Sequence, residues 1–260
     1  MVWIRGRSLP LLVSFLLVSA VGFLFSPSAG VPRSPSTARL VAAGDIILHT
    51  PILNAARDAA SSRYDFRPIF TYLRPFFEEA DLATAVLETT LGGPESGYTG
   101  YPRFNSPAEI AEALRWAGID LVFTAHNHSL DRGVDGVWRT LEHLDRVGLL
   151  HVGTARTPDP GARVVLREIN GIRFAFLAYT TSTNGLSLPR GREWAVNLYR
   201  REQAAADVAL ARRLGAEAIV SARHAGVEYQ RQPSQEQRTI VEELLDLGVD
   251  VVLGSHPHVI

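Results

Sequence analysis

Five short apolar runs in this chain each lead into a side chain that can bind a metal ion or a proton. That repeat constrains the fold more than any other feature. Leu40-Val41-Ala42-Ala43 is followed by Gly44-Asp45, and Leu82 to Leu87 by Glu88. Leu121-Val122-Phe123 is followed by Thr124-Ala125-His126-Asn127-His128. Ala218-Ile219-Val220 leads to Ser221-Ala222-Arg223-His224, and Val251-Val252-Leu253 to Gly254-Ser255-His256-Pro257-His258. Runs of this length and composition read as buried strands. In α/β folds the carboxyl ends of the strands line the ligand crevice. If the five strands are neighbours, Asp, Glu, Asn and His side chains converge on one point. Such a mixed oxygen and nitrogen set suits Zn²⁺, Mn²⁺ or Fe rather than Ca²⁺, which prefers oxygen alone. Each residue also has an ordinary explanation: Asp45 as a turn or cap, Glu88 as a surface carboxylate, His224 as a hydrogen-bonded structural histidine. That explanation has to be invoked five separate times.

Helical periodicity fills the gaps between strands. Residues 66–80 place Phe66, Ile69, Phe70, Leu73 and Phe77 on one face. Pro107 opens a helix whose Ile110, Leu114 and Ala117 share a face, and Val134, Val137, Leu141, Leu144 and Val147 stripe the next. Further helices are predicted near 202–214 and 235–247. The middle differs: Val164–Ile169 and Arg173–Ala178 are β-rich and joined by Asn170-Gly171, a strong hairpin signal. The pattern predicts an α/β fold with two sheets, at least partly antiparallel, covered by helices.

The chain opens with Arg5 and Arg7, an apolar run from Leu9 to Phe25, and the small-residue stretch Ser26-Pro27-Ser28-Ala29-Gly30. This is the layout of a signal peptide or an uncleaved anchor. Residues 1–30 are therefore expected to be a leader or N-terminal membrane anchor, 31–38 a linker, and 39–260 the folded domain. The positive flank predicts a domain outside the cytoplasm, exported or membrane-anchored at the cell surface. A formal net charge of −1 gives no reason to expect nucleic acid. No cysteine is present, which excludes disulfides, thiolate metal sites and a cysteine nucleophile. His256-Pro257-His258 is the strongest single motif, because a proline between two imidazoles fixes their separation.

The motifs, in order, are Gly44-Asp45; Leu87-Glu88; Asn127-His128-Ser129-Leu130-Asp131-Arg132-Gly133; His224-Ala225-Gly226-Val227-Glu228-Tyr229; and Gly254-Ser255-His256-Pro257-His258. This succession resembles the CapA family of capsule (poly-γ-glutamate) synthesis proteins, similar in turn to calcineurin-like metallophosphoesterases. The resemblance covers residues 39–260. It implies a four-layer αββα sandwich holding two divalent ions, Mn, Zn or Fe. It implies that Asp45 and His258 bind one ion, that Asn127, His224 and His256 bind the other, and that Glu88 takes the place of the bridging carboxylate. His128 would be the non-ligand histidine near the leaving group, oriented by Asp131. The sequence departs from the pattern at Ile47, where the superfamily has a histidine, with His49 nearby at the wrong spacing. Val86 stands where Asn is usual in CapA-like proteins, His126 where Asn is usual, and Ala225 where Trp is usual. The family also continues with strands beyond His-Pro-His, so the domain is expected to be truncated at its C-terminus.

Two functions follow as expectations. One is metal-dependent hydrolysis of a phosphoester, or of an ester or amide bond in a polymer. The other is a non-catalytic, membrane-anchored accessory subunit of a surface-polymer synthesis or export complex. It would contact membrane synthase subunits and bind an anionic polymer.

Overall fold

Apolar runs alternating with amphipathic helices sort this chain into two sheets, each with its own helical cover. The computed structural model describes residues 2–4 and 37–259. The apolar run expected to be a leader or anchor lies outside the described residues. Among the described residues, no helix is long and apolar enough to cross a membrane.

The first sheet takes β2 (Leu40–Ile46), β3 (Leu82–Leu87), β4 (Leu121–Phe123) and β5 (Leu150–Val152), all parallel and in that order. The helices packed with it are α1 (Thr50–Ala56), α2 (Arg67–Phe70), α3 (Arg74–Glu78), α4 (Glu109–Ala117) and α5 (Gly133–Val147). The second sheet has a short edge strand β1 (Val2–Ile4), then β9 (Val251–Ser255), β8 (Ala218–His224), β7 (Ile172–Thr180) and β6 (Val165–Ile169). Its cover is α6 (Arg201–Arg213) and α7 (Gln235–Asp246). β7, β8 and β9 run parallel, while β6 pairs antiparallel with β7 through the predicted hairpin. Asn170 and Gly171 both have positive φ (51° and 79°), as a two-residue hairpin turn requires.

Three apolar cores define four layers. One lies between α1–α5 and the first sheet, and one between α6, α7 and the second. The third lies between the sheets, where Val86, Leu121, Phe123 and Val152 meet Phe174, Phe176, Val220 and Ala222. Burying a Phe or Val of this kind stabilises the fold by roughly 1.5–3 kcal/mol. The architecture is therefore the expected α/β sandwich, with β3 buried on both faces throughout.

Two local readings change. The helix expected over 66–80 is two short helices, because Pro68 and Pro75 each sit in a first turn and supply no N–H to continue the ladder. β2 runs three residues further than its apolar stretch, with a register shift between Ala42 and Asp45. Asp45 thus lies inside the strand rather than after it, and His224 is the last residue of β8.

Candidate metal centre

The carboxyl ends of β2, β3, β4, β8 and β9 meet at one edge of the sandwich, and their side chains close on one another across both sheets. Asp45 comes from β2 and Glu88 directly follows β3. Asn127 and His128 sit in the turn after β4, while His224 closes β8 and His256 and His258 follow β9. Gly153 lets the segments that follow β4 and β5 run close together: a Cβ there would stand 2.5 Å from the amide nitrogen of Ala125. His256 and His258 both adopt positive φ (94° and 54°), a costly conformation for residues with a Cβ. The bend aims both rings inward, with centroids 6.1 Å apart.

The contacts fall into two groups that share Glu88. In the first, His224 Nε2 lies 2.9 Å from Asn127 Oδ1, 3.1 Å from His256 Nδ1 and 3.4 Å from Glu88 Oε1. One imidazole N–H cannot satisfy three acceptors. Four lone-pair atoms at these spacings are what a tetrahedral cation gathers, since ligands at 2.0–2.2 Å from it stand about 3.4 Å apart. In the second group, His258 Nε2 lies 3.1 Å from Glu88 Oε2 and 3.8 Å from Asp45 Oδ2. The sets Glu88, His224, His256 and Asp45, Glu88, His258 each bring three ligand atoms within 4.8 Å of one another. Asp45 Oδ1 and Glu88 Oε1 are buried without a hydrogen-bond partner, although nitrogens of His224 stand 3.3 and 3.4 Å away. Orphaned carboxylate oxygens beside clustered imidazoles fit a divalent cation in both chemistry and spacing.

Electrostatics follow this crowding. Burial alone would raise the Glu88 carboxyl, but contacts from His224 and His258 outweigh it and hold the group far below the usual carboxylate range. Burial likewise works against a charged His224, yet Asp45 and Glu88 lift it to about 9. His256 is pushed down to about 4 by burial and by its neighbour His224. His258 is raised, chiefly by its contact with Glu88. His126, fully enclosed beside the group, is depressed first by burial and then by His224, and its Nδ1 has no partner.

His128 stands apart from both sets. Its Nδ1 pairs with Asp131 Oδ2 at 2.8 Å, and the same oxygen accepts the Phe104 amide at 2.6 Å. The Phe104 ring packs edge-on with His128 at 4.6 Å and with His49 at 5.1 Å. His49 thus belongs to the wall behind His128 rather than to a ligand set. Ile47 lines the cleft of about 670 Å³ beside Asp45 and His258. Val86 is in the core between the sheets. The buried Ala225 is tied down instead by Gln237, whose Nε2 donates to its carbonyl at 3.0 Å.

Sequence reasoning missed two residues here. Ser255 Oγ lies 3.0 Å from His224 Nδ1, and its place directly before His-Pro-His was the available signal. Asn184 accepts from Asn127 Nδ2 at 3.3 Å, and its own Nδ2 stands 3.4 Å from both ring nitrogens of His128. Its only sequence mark is the Asn184-Gly185 turn dipeptide.

Comparison with known proteins agrees with this fold. A family model described as bacterial capsule synthesis protein PGA_cap matches residues 39–260. The capsule biosynthesis protein CapA of Bacillus anthracis is 24% identical over 209 residues, covering 76% of this chain and 50% of that protein. The PGA biosynthesis protein CapA of Bacillus subtilis is 25% identical over 208 residues, covering 74% and 51%. The chain thus spans about half the length of these relatives. Among solved structures, the calcineurin-like phosphoesterase YfkN of Bacillus subtilis superposes with a TM-score of 0.51 at 16% identity, covering 85% of this chain and 72% of that one. A hypothetical protein from Thermus thermophilus superposes with a TM-score of 0.50 at 18% identity, covering 85% and 68%. At these identities the likeness concerns the fold.

Proposed function

The chain belongs to the bacterial capsule synthesis protein family, and from that premise we propose that it is a metal-dependent hydrolase acting on a phosphoester, or on an ester or amide bond of a surface polymer. The single observation that carries this reading is the sharing of Glu88 between two ligand sets, each drawn from both sheets. Asn127, Glu88, His224 and His256 would hold one divalent ion, and Asp45, Glu88 and His258 a second. Such a pair supplies charge neutralisation and an activated water when bound. The remaining steps belong to the protein. Asp131, fixed by the Phe104 amide, holds His128 through Nδ1, and Nε2, which has only the long 3.4 Å approach of Asn184 Nδ2, would carry a proton towards a departing oxygen or nitrogen. Phe104 keeps bulk water off one face of that ring. The test is metal analysis of the purified chain after reloading with Mn²⁺ or Zn²⁺, with hydrolysis assays on phosphodiesters, esters and amides. If the protein carries no stoichiometric metal, and Glu88→Ala and His256→Ala match wild type in every assay, the reading fails.

A second reading has its own support. Ile47 puts an apolar side chain beside Asp45 and His258, leaving that set three protein donors. The pocket would then serve an accessory subunit that binds an anionic polymer within a membrane-bound synthesis complex. Polymer production that persists in a Glu88→Ala strain, together with retained pull-down of membrane synthase subunits, favours this reading over catalysis.

A further inference from the structure

The register of the second sheet sets a hydroxyl beside a candidate ligand. β8 and β9 run parallel, and His224 pairs with Ser255 across them. Paired residues on adjacent strands put their side chains on the same face, about 4.8 Å apart. Serine is short enough to fit that spacing and still present a polar atom, and its Oγ stands 3.0 Å from His224 Nδ1. Both residues are buried, so bulk water does not compete for the contact.

The two ring nitrogens of His224 face different neighbours. Nε2 looks into the group formed by Asn127, Glu88 and His256. An imidazole that gives its Nε2 lone pair to an ion carries the ring proton on Nδ1, and that N–H needs an acceptor. Two oxygens lie near it. Ser255 Oγ, at 3.0 Å, makes the hydrogen bond; Asp45 Oδ1, at 3.3 Å, does not and is left without a partner. The difference matters because Asp45 also belongs to the second ligand set, with Glu88 and His258. A carboxylate drawn onto the His224 N–H is turned and partly neutralised, and so holds an ion beside His258 less tightly.

We propose that Ser255 is a positioning residue: it takes the Nδ1–H of His224, aims Nε2 at the first ion and leaves Asp45 to the second. One neutral hydroxyl, a ligand to neither ion, thereby supports both sites. This inference rests on the two-ion reading above and deepens it.

The metal-free protein is titrated with Zn²⁺ against a chelating dye, and the zinc-loaded protein, labelled with ¹⁵N in its histidines, is followed by NMR. Ser255→Ala should weaken the first ion about 10–100-fold and should weaken the second as well. In a His224→Gln background, which keeps a donor atom near the place of Nε2 but has nothing at that of Nδ1, Ser255→Ala should have no further effect. The His224 ring proton of the wild type should sit on Nδ1, and its resonance should move in Ser255→Ala as the proton turns to Asp45. Unchanged affinity for both ions in Ser255→Ala would overturn the proposal. So would an equal loss in the His224→Gln background, or a ring proton on Nε2. Weakening confined to the first ion would overturn the role given to Asp45. A wild-type chain that takes up no Zn²⁺ would sink the hydrolase reading and this inference together; one that binds two ions with Ser255→Ala unaffected would sink this inference alone.

Discussion

The Asp45 carboxylate accepts the backbone amide of His256 at 2.8 Å across 211 residues of sequence, tying the first sheet to the second. One oxygen of Asp45 therefore fixes the entry to His-Pro-His, and the other is left without a hydrogen bond. The two roles separate by substitution. Asp45→Asn keeps a side-chain acceptor but loses the charge, so bound metal should fall from two ions towards one with little change in Tm. Asp45→Ala loses both and should cost a further ~1–2 kcal/mol of stability. Metal stoichiometry and thermal melts of the two variants, side by side, check this.

Removal of Glu88 should affect both ions at once, since each ligand set contains it. Glu88→Gln is expected to abolish stoichiometric binding altogether, whereas His258→Ala should spare the Asn127–His224–His256 set. Mass spectrometry of the metal-loaded variants under native conditions reads the difference directly.

The pH dependence has a defined sign. His224 is raised in the folded state from 6.5 to about 9. Its stabilising contribution is fully present below the unfolded value and is lost as pH rises through the folded one. The Tm of the metal-free protein should therefore decline between about pH 6.5 and 9. Metal binding needs the imidazole neutral, so affinity should rise over the same interval, with proton uptake or release followed by calorimetry in buffers of different ionisation enthalpy. Glu88→Gln should flatten the decline in the metal-free protein.

His128 lies outside both ligand sets, so His128→Asn should leave metal content unchanged while lowering turnover by about 10²–10⁴. Asp131→Asn should do the same to a smaller degree. A poor substrate whose leaving group needs no proton should be cleaved almost as fast by the variants as by wild type.

A stability control lies far from the centre. Asp207 is buried between Arg163 at 2.9 Å, Tyr179 at 3.0 Å and Gln203 at 2.9 Å. Asp207→Ala leaves a largely enclosed guanidinium without its partner and should destabilise by roughly 3 kcal/mol in denaturant titration, with metal content unaltered.

Much of this was written in local sequence. Apolar runs gave the strands, and the Asn170-Gly171 dipeptide gave the hairpin, because both rest on near-neighbour chemistry. The site residues were legible as well, since each follows or closes a strand. Other features were not. The split of residues 66–80 into two helices was masked by an apolar stripe that survives the break, although Pro75 marked it. β5 contributes only three residues to the sheet edge and gives little periodicity. Asn184 reaches its partners from 56 and 57 residues away, in a loop whose sequence carries no sign of where it lands.

The assembly of the centre from two separate sheets has a mechanical consequence. β2–β4 supply Asp45, Glu88 and Asn127, while β8 and β9 supply His224, His256 and His258. Any ion gripped by both halves acts as a clasp on a seam otherwise closed by aliphatic and aromatic packing and a few hydrogen bonds such as that from the His256 amide to Asp45. Its withdrawal should let the sandwich gape first at that rim, where a protease would find the His-Pro-His loop before any other part of the second sheet.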